Sequence, residues 1–230
     1  MKVAGLVPFT TIDYPGALAA VIFFKGCPLR CPFCHNPDLQ QPDSDTATLS
    51  WPEITAFLET HRRKLDGIVL SGGEPLMQEG ILEIARQIKQ FDFKIAVHTS
   101  GVYPEKLAAL LPLVDWVGLD IKSPFSKYET ATGRDKMAPA VQKSLDILLA
   151  SGTDFECRTT CDPRFLTQSD LWEIAAFLHQ KGVKHYVLQK YRSFDKEINP
   201  PSVSQIESLV RDSDIMQQIK KLYPTLFVRG

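Results

Sequence analysis

Six short apolar runs, at 18–24, 67–70, 93–97, 116–119, 155–159 and 185–189, alternate with amphipathic stretches. No other feature of the chain limits its fold as strongly. Such runs suit strands buried on both faces, and the stretches between them suit helices near 51–63, 80–90, 104–111, 138–150, 167–180 and 203–219. Repeated β-α units imply a parallel sheet, because parallel neighbours need a crossover long enough to hold a helix. Six units are too few to close an eight-stranded barrel, so the pattern predicts an α/β fold, either an open doubly wound sheet or an incomplete barrel. In both, function belongs at the carboxyl ends of the strands.

Local signals place some boundaries. Ser50 precedes Trp51-Pro52-Glu53, which supplies a cap, an early proline and a Glu positioned for a capping box. Thr167-Gln168-Ser169-Asp170 opens a later helix in the same way, and Gly182 closes it in a conformation that costs a residue without Cβ little. The stretches at 43–48 and 199–202 read as loops too short to divide the chain. One domain over 1–230 is expected, with a core at about 16–195 and a helical extension at about 200–230.

Charge and composition exclude several function classes. Lys and Arg number 26 against 27 Asp and Glu, a net charge of −1, without the basic excess of a nucleic-acid binder. Hydrophobic residues at 44% and charged residues at 23% describe a globular protein, not a disordered one. No run reaches the ~18 apolar residues of a membrane span, and the first residues lack a signal-peptide core. A cytoplasmic location follows, where thiols stay free for metal binding or catalysis.

Three of the five cysteines, Cys27, Cys31 and Cys34, fall directly after the first apolar run. Soft thiolates select zinc, copper(I) or an iron–sulfur cluster. Cys31-Pro32-Phe33-Cys34-His35 also fits the haem attachment pattern, but that chemistry belongs to exported proteins. A structural zinc site could use His35, yet the usual second ligand pair is missing unless Cys157 and Cys161 reach across the sheet. A thioredoxin-like pair would leave Cys27 unused. A four-iron cluster on three cysteines uses all three thiols and leaves one iron open.

The C-x3-C-x2-C pattern after a first strand resembles the radical S-adenosylmethionine (SAM) superfamily. The resemblance implies a (β/α)6 partial barrel of the radical SAM type. It also implies a [4Fe-4S] cluster on Cys27, Cys31 and Cys34, whose open iron chelates SAM and whose reduction releases a 5′-deoxyadenosyl radical. Gly72-Gly73-Glu74 after the second run matches that family's second motif; alone it would read as a tight turn. There Gly72 and Gly73 would let backbone approach SAM, with Glu74 facing its ammonium.

Further likeness is to the glycyl-radical-enzyme activases. It rests on Cys34-His35-Asn36-Pro37-Asp38, on Thr11-Ile12-Asp13-Tyr14-Pro15-Gly16 and on Leu119-Asp120-Ile121-Lys122. It implies Phe33, His35, Asn36, Thr99, Asp120, Lys122 and Arg158 as further SAM contacts, with Arg158 on the SAM carboxylate and Gln189 or Arg192 near adenosine. Where activases carry Asp-Thr-Asn-Gly, expected beside the SAM amino group or a monovalent cation, this chain has His98-Thr99-Ser100-Gly101. The likeness is greatest to activases of anaerobic ribonucleoside-triphosphate reductase, which implies that enzyme as partner and a flavodoxin or ferredoxin-type reductant. A radical SAM enzyme acting on a small molecule, of the 7-carboxy-7-deazaguanine synthase kind, is the alternative; a non-enzymatic iron–sulfur electron carrier or zinc-binding scaffold leaves Gly-Gly-Glu, Asp120 and Lys122 unexplained. Cys157 and Cys161 are expected to be a buried thiol and an exposed bystander.

Overall fold

The computed structural model describes residues 3–42, 48–194, 197 and 199–230; all but the last residue of the expected 43–48 loop lies outside them. The strands are β1 (Val3–Thr10), β2 (Ala19–Phe24), β3 (Gly67–Gly72), β4 (Lys94–Thr99), β5 (Trp116–Asp120), β6 (Asp154–Cys161), β7 (Tyr186–Lys190) and β8 (Phe227–Arg229). They form one sheet in that order. β2 to β8 are parallel neighbours, and β1 runs antiparallel to β2. The helices are α1 (Trp51–His61), α2 (Ile81–Gln90), α3 (Pro104–Leu110), the short α4 (Tyr128–Thr132), α5 (Met137–Ser151), α6 (Gln168–Lys181), α7 (Val203–Val210) and α8 (Asp214–Leu222).

Strand order decides between the two expected architectures. A doubly wound sheet reverses its order at a switch point and so carries helices on both faces. Here the order never reverses, so crossovers of one hand place their helices on a single face and leave the other turned inward. That is the partial barrel. β2 to β7 are the six expected strands, and β1 and β8 extend the sheet at its two edges. β1 contains Pro8, which an edge strand tolerates because one side of it needs no donor.

The two faces differ in composition. The outer face joins the helices in a large core that includes Ile22, Phe24, Ile68, Leu70, Ile95, Val97, Leu119, Cys157 and Leu188. The inner face is lined by small and polar residues, and its lower end is closed by Tyr14, Ala19, Val21, Val69, Ala96 and Trp116. The Tyr14 ring lies 6.0 Å from that of Trp116, and a Cβ on Gly67 would come within 2.9 Å of it. Thus Tyr14 of the 11–16 motif plugs the barrel, and a glycine on β3 makes room for it. Function is pushed to the other end.

Both expected capping boxes are present, on Ser50 with Glu53 and on Thr167 with Asp170, and Gly182 takes φ of +88° after α6. The 203–219 stretch, expected as one helix, is broken into α7 and α8. Ser213 caps α8 by accepting from the Met216 N–H (3.2 Å). The Gln168 amide nitrogen of α6 lies 3.2 Å from each of the carbonyls of Ser208, Leu209 and Arg211, which share its two N–H donors. A partner on another helix therefore satisfies the carbonyls that the break exposes. The tail after 200, expected to be helical, ends in β8, which Arg229 fastens by two hydrogen bonds to Glu156 on β6 (2.6 and 2.9 Å).

Candidate functional site

At the carboxyl ends of the strands lies a cavity of about 870 Å³ lined by Cys27, Cys31, Phe33, Cys34, His35, Asn36, Gly72, Gly73, Thr99, Asp120, Lys122 and Arg158. Of the site residues expected from sequence, Glu74 alone does not line it. This volume is ample for a ligand of cofactor size.

The cysteine loop is held by its backbone. The Gly26 N–H donates to Leu39 O (2.8 Å) and that of Cys27 to Gln40 O (3.0 Å). Arg30 Nη1 donates to the carbonyls of Cys27 and Leu29 (2.6 and 2.7 Å), and Arg134 Nε to that of Pro28 (2.9 Å). With the carbonyls drawn to two guanidiniums, the thiols are free to line the cavity. Burial pushes the Cys27 thiol up to about 12, and Glu74 adds to it. Burial likewise raises Cys31 to about 11, against the pull of Lys122. Such thiols ionise only when a cation or metal takes them as thiolates.

A tetrahedral zinc would need its sulfurs about 2.3 Å from one point. Among the described residues no three His, Cys, Asp or Glu side chains gather as ligands of a single ion. Three thiols lining one cavity are soft donors of the kind that suit a polynuclear cluster, whose irons take one thiolate each.

The same cavity is lined by a partly buried ionic set. Arg158 Nε donates to Asp120 Oδ1 (3.0 Å) and its Nη2 lies 2.9 Å from the same oxygen, while Lys122 Nζ donates to Oδ2 (2.9 Å). Burial opposes the Asp120 charge, but Arg158 and Lys122 outweigh it and hold the carboxyl well below the usual range. Burial also disfavours charge on Lys122, yet Asp120 and Cys31 keep it protonated. The set carries one net positive charge. The three side chains face one way because Asp120 and Arg158 are register partners on adjacent strands, two residues from Lys122 and Thr160 respectively.

Glu74 was expected to face a ligand's ammonium. The structure instead buries it completely, with Oε1 accepting from Leu76 N (3.1 Å) and Thr99 Oγ1 (2.7 Å) and Oε2 from Ser100 N (2.8 Å) and Ser100 Oγ (2.5 Å). A carboxylate has about four acceptor positions, and all are taken. Burial raises its pKa while these bonds oppose the rise. Glu74 is a clasp between the Gly72-Gly73 turn and the loop after β4. The two glycines are required by sterics: a Cβ on Gly72 would meet Phe24 N at 2.2 Å, and one on Gly73 would meet Gly26 O at 2.3 Å.

His35 accepts from the Arg192 N–H at Nε2 (3.3 Å) and lies against Tyr191, with ring centroids 5.6 Å apart. Burial and the nearby Lys122 lower its pKa, so it acts as a neutral acceptor. Arg164 holds this loop from below, bonded to Asp162 and to Glu197 (2.7 Å). Residues that sequence reasoning left out of the site also line the cavity: Asp13, Pro15, Phe227, Arg229 and Gly230. The first two belong to a motif visible in sequence; Phe227 and Arg229 belong to a strand too short to show periodicity, and Gly230 follows it. Gln189 and Arg192 lie on the same wall. Cys157 and Cys161 face the helices and are both fully buried, which corrects the expectation that one is exposed. Burial raises both thiols, Cys161 to about 12.

The sequence profile of the Radical SAM superfamily matches residues 21–178. Over 200 residues the chain is 33% identical to a Methanocaldococcus jannaschii protein provisionally described as a glycyl-radical enzyme activating enzyme, covering 84% of this chain and 81% of that one. It is 34% identical over 130 residues to the pyruvate formate-lyase-activating enzyme of Clostridium pasteurianum, 54% of each chain. Streptococcus suis SuiB, solved bound to S-adenosylmethionine, aligns with a TM-score of 0.65 at 13% identity, covering 91% of this chain and 52% of that one. That likeness speaks for the fold alone. The chain spans about half the length of the C. pasteurianum enzyme and of SuiB. With the profile covering more than half of its residues and the archaeal relative most of them, this chain belongs to the radical SAM superfamily, among the glycyl-radical-enzyme activating enzymes.

Proposed function

We propose that Cys27, Cys31 and Cys34 hold a [4Fe-4S] cluster, that SAM binds beside it in the same cavity, and that the chain activates a glycyl-radical enzyme, anaerobic ribonucleoside-triphosphate reductase. The observation that carries this reading is the meeting of three free thiols, a glycine-lined turn and a net-positive Asp120–Lys122–Arg158 set in one cavity. When bound, the cluster and SAM would supply one-electron chemistry, the electron coming from an external reductant, by which a hydrogen atom is taken from a backbone glycine of the partner.

The chain's own residues bind and orient. Lys122 offsets negative charge on the thiolates, since it and Cys31 favour each other's ionised forms. Lys122 and Arg158 offer donors to a carboxylate, for which a guanidinium fork is suited. Gly72 and Gly73 let main chain approach the ligand, and Phe33, packed on Phe165 with centroids 5.6 Å apart, gives a flat apolar wall. Thr160 and Gln189 add hydrogen-bonding groups to the cavity lining. Among the described residues no helix is long and apolar enough to cross a membrane. An unprotected thiol set belongs in a reducing compartment, so we assign the protein to the cytoplasm, with a flavodoxin or ferredoxin-type reductant.

Anaerobically reconstituted protein should hold about four irons per chain and, with dithionite, convert SAM to 5′-deoxyadenosine. Cys31→Ala should abolish both, and SAM cleavage retained in that variant refutes the cluster assignment. Mixing with the anaerobic reductase of the same organism should give a glycyl-radical signal by electron paramagnetic resonance. Cleavage without that signal overturns the choice of partner.

A further inference from the structure

Resemblance to the activases implies either the SAM amino group or a monovalent cation beside position 98, and the residues around that position do not fit a cation. A hard cation needs oxygen ligands with free lone pairs. The natural donors at this place are the Gly118 carbonyl and the Asp120 carboxylate, neighbours on the inner face of β5. Arg158 takes both: its Nη2 donates to Gly118 O (3.3 Å), and its Nε donates to Asp120 Oδ1 (3.0 Å). Lys122 Nζ lies on Oδ2 (2.9 Å), so two side-chain cations already neutralise this carboxylate and would repel a third. Arg158 is only 5% exposed, so this is a built arrangement. The sequence makes room for it, because a Cβ on Gly118 would lie 2.6 Å from the guanidinium carbon.

The adjacent strand supplies no anionic oxygen. His98, the register partner of Gly118, stands where activases carry Asp. Its Nε2–H donates to Asp13 O (2.7 Å), and its ring meets Trp116 edge-on at 5.8 Å. Burial, and next the Arg158 charge, lower its pKa to about 3, so the ring is neutral. The charge count is the same in both designs: a carboxylate at 98 with a bound monovalent ion sums to zero, as does a neutral imidazole with no ion.

We infer that this chain binds SAM without a monovalent cation, the Arg158 guanidinium being a tethered substitute for the ion between Gly118 and Asp120. The inference rests on the activase reading of the cavity, and its test separates the two. SAM affinity of the reconstituted holoprotein is measured by calorimetry in potassium, sodium and tetramethylammonium chloride at one ionic strength, and the thermal midpoint is followed in the same salts without SAM. The expected result is a dissociation constant equal within twofold across the salts. Arg158→Gln, which frees both oxygens, should bind SAM more weakly and recover affinity in potassium or sodium over tetramethylammonium. Wild-type affinity fivefold tighter in potassium or sodium overturns the inference, as does an Arg158→Gln variant weakened equally in all three. If no salt permits SAM binding the activase reading fails, and the thermal midpoint still decides the cation question: one independent of the salt upholds its exclusion, and a potassium- or sodium-specific rise overturns it.

Discussion

Replacing Glu74 by Gln separates two roles for this residue, ligand contact and internal clasp. The carboxylate accepts four hydrogen bonds, two from backbone N–H groups of Leu76 and Ser100 and two from the hydroxyls of Thr99 and Ser100. A Gln amide can replace only one of the two oxygens without conflict. With its nitrogen at the Oε1 position it faces the Leu76 N–H, and at the Oε2 position it faces the Ser100 N–H. Hydroxyls can turn to accept, but a backbone N–H cannot, so either orientation leaves a buried donor against a donor. An orphaned buried group costs about 1–3 kcal/mol, and the charge assistance of the remaining bonds is lost as well. Relief of carboxylate burial offsets part of this, leaving a net loss of about 3 kcal/mol. For a chain of this size that lowers the thermal midpoint by roughly 6–12 °C. Thermal unfolding followed by circular dichroism, with SAM affinity measured below the transition, is the assay. A variant that unfolds within 2 °C of wild type yet loses SAM binding would refute the clasp and return Glu74 to the ligand.

Gly73→Ala drives a methyl against the main chain of Gly26 and Leu39, atoms that no rotamer change can move, and should cost about 3 kcal/mol or more; Gly80→Ala, with nothing within 4 Å, should change the thermal midpoint little, and equal effects would sink the argument. The folded His98 ring stays neutral to about pH 3 while the unfolded ring protonates near pH 6.5, so the unfolded chain binds more protons between those values. Stability then drops as the pH is lowered from 6.5, by up to about 1.4 kcal/mol per unit, and His98→Gln should flatten that drop between pH 6.5 and 4; an unchanged slope would show that other groups set it. The double variant Cys157→Ser, Cys161→Ser should lose about 1–3 kcal/mol for hydroxyls placed in the outer core and keep its full iron content. Iron lost from an otherwise folded double variant would reassign these thiols.

Much of the site was legible because its signals are local. The cysteine spacing, Gly72-Gly73, Asp120 with Lys122, and Arg158 each sit at or just after an apolar run, and the rule that parallel strands present ligands at their carboxyl ends gathers them without coordinates. The burial of Glu74 was not legible for a physical reason: its four hydrogen bonds come from residues 76, 99 and 100, and sequence cannot show which acceptors are already filled. The exposed thiol expected of the 157–161 pair is absent because residues 157 and 161 share one face of β6, and only the tertiary layers reveal that this face meets helices.

By itself, then, the sequence determined that the chain is an α/β protein of repeated parallel units with soft ligands at the end of its first inner strand. Alternation and spacing depend only on neighbours along the chain. What the tertiary structure decided lies in distant pairings: the unreversed strand order, the break between α7 and α8 held by Gln168, the three-residue β8 fastened by Arg229 to Glu156, and the Arg158 guanidinium laid over Gly118. These rest on hydrogen bonds and sterics between residues roughly forty or more positions apart, and no local pattern records them.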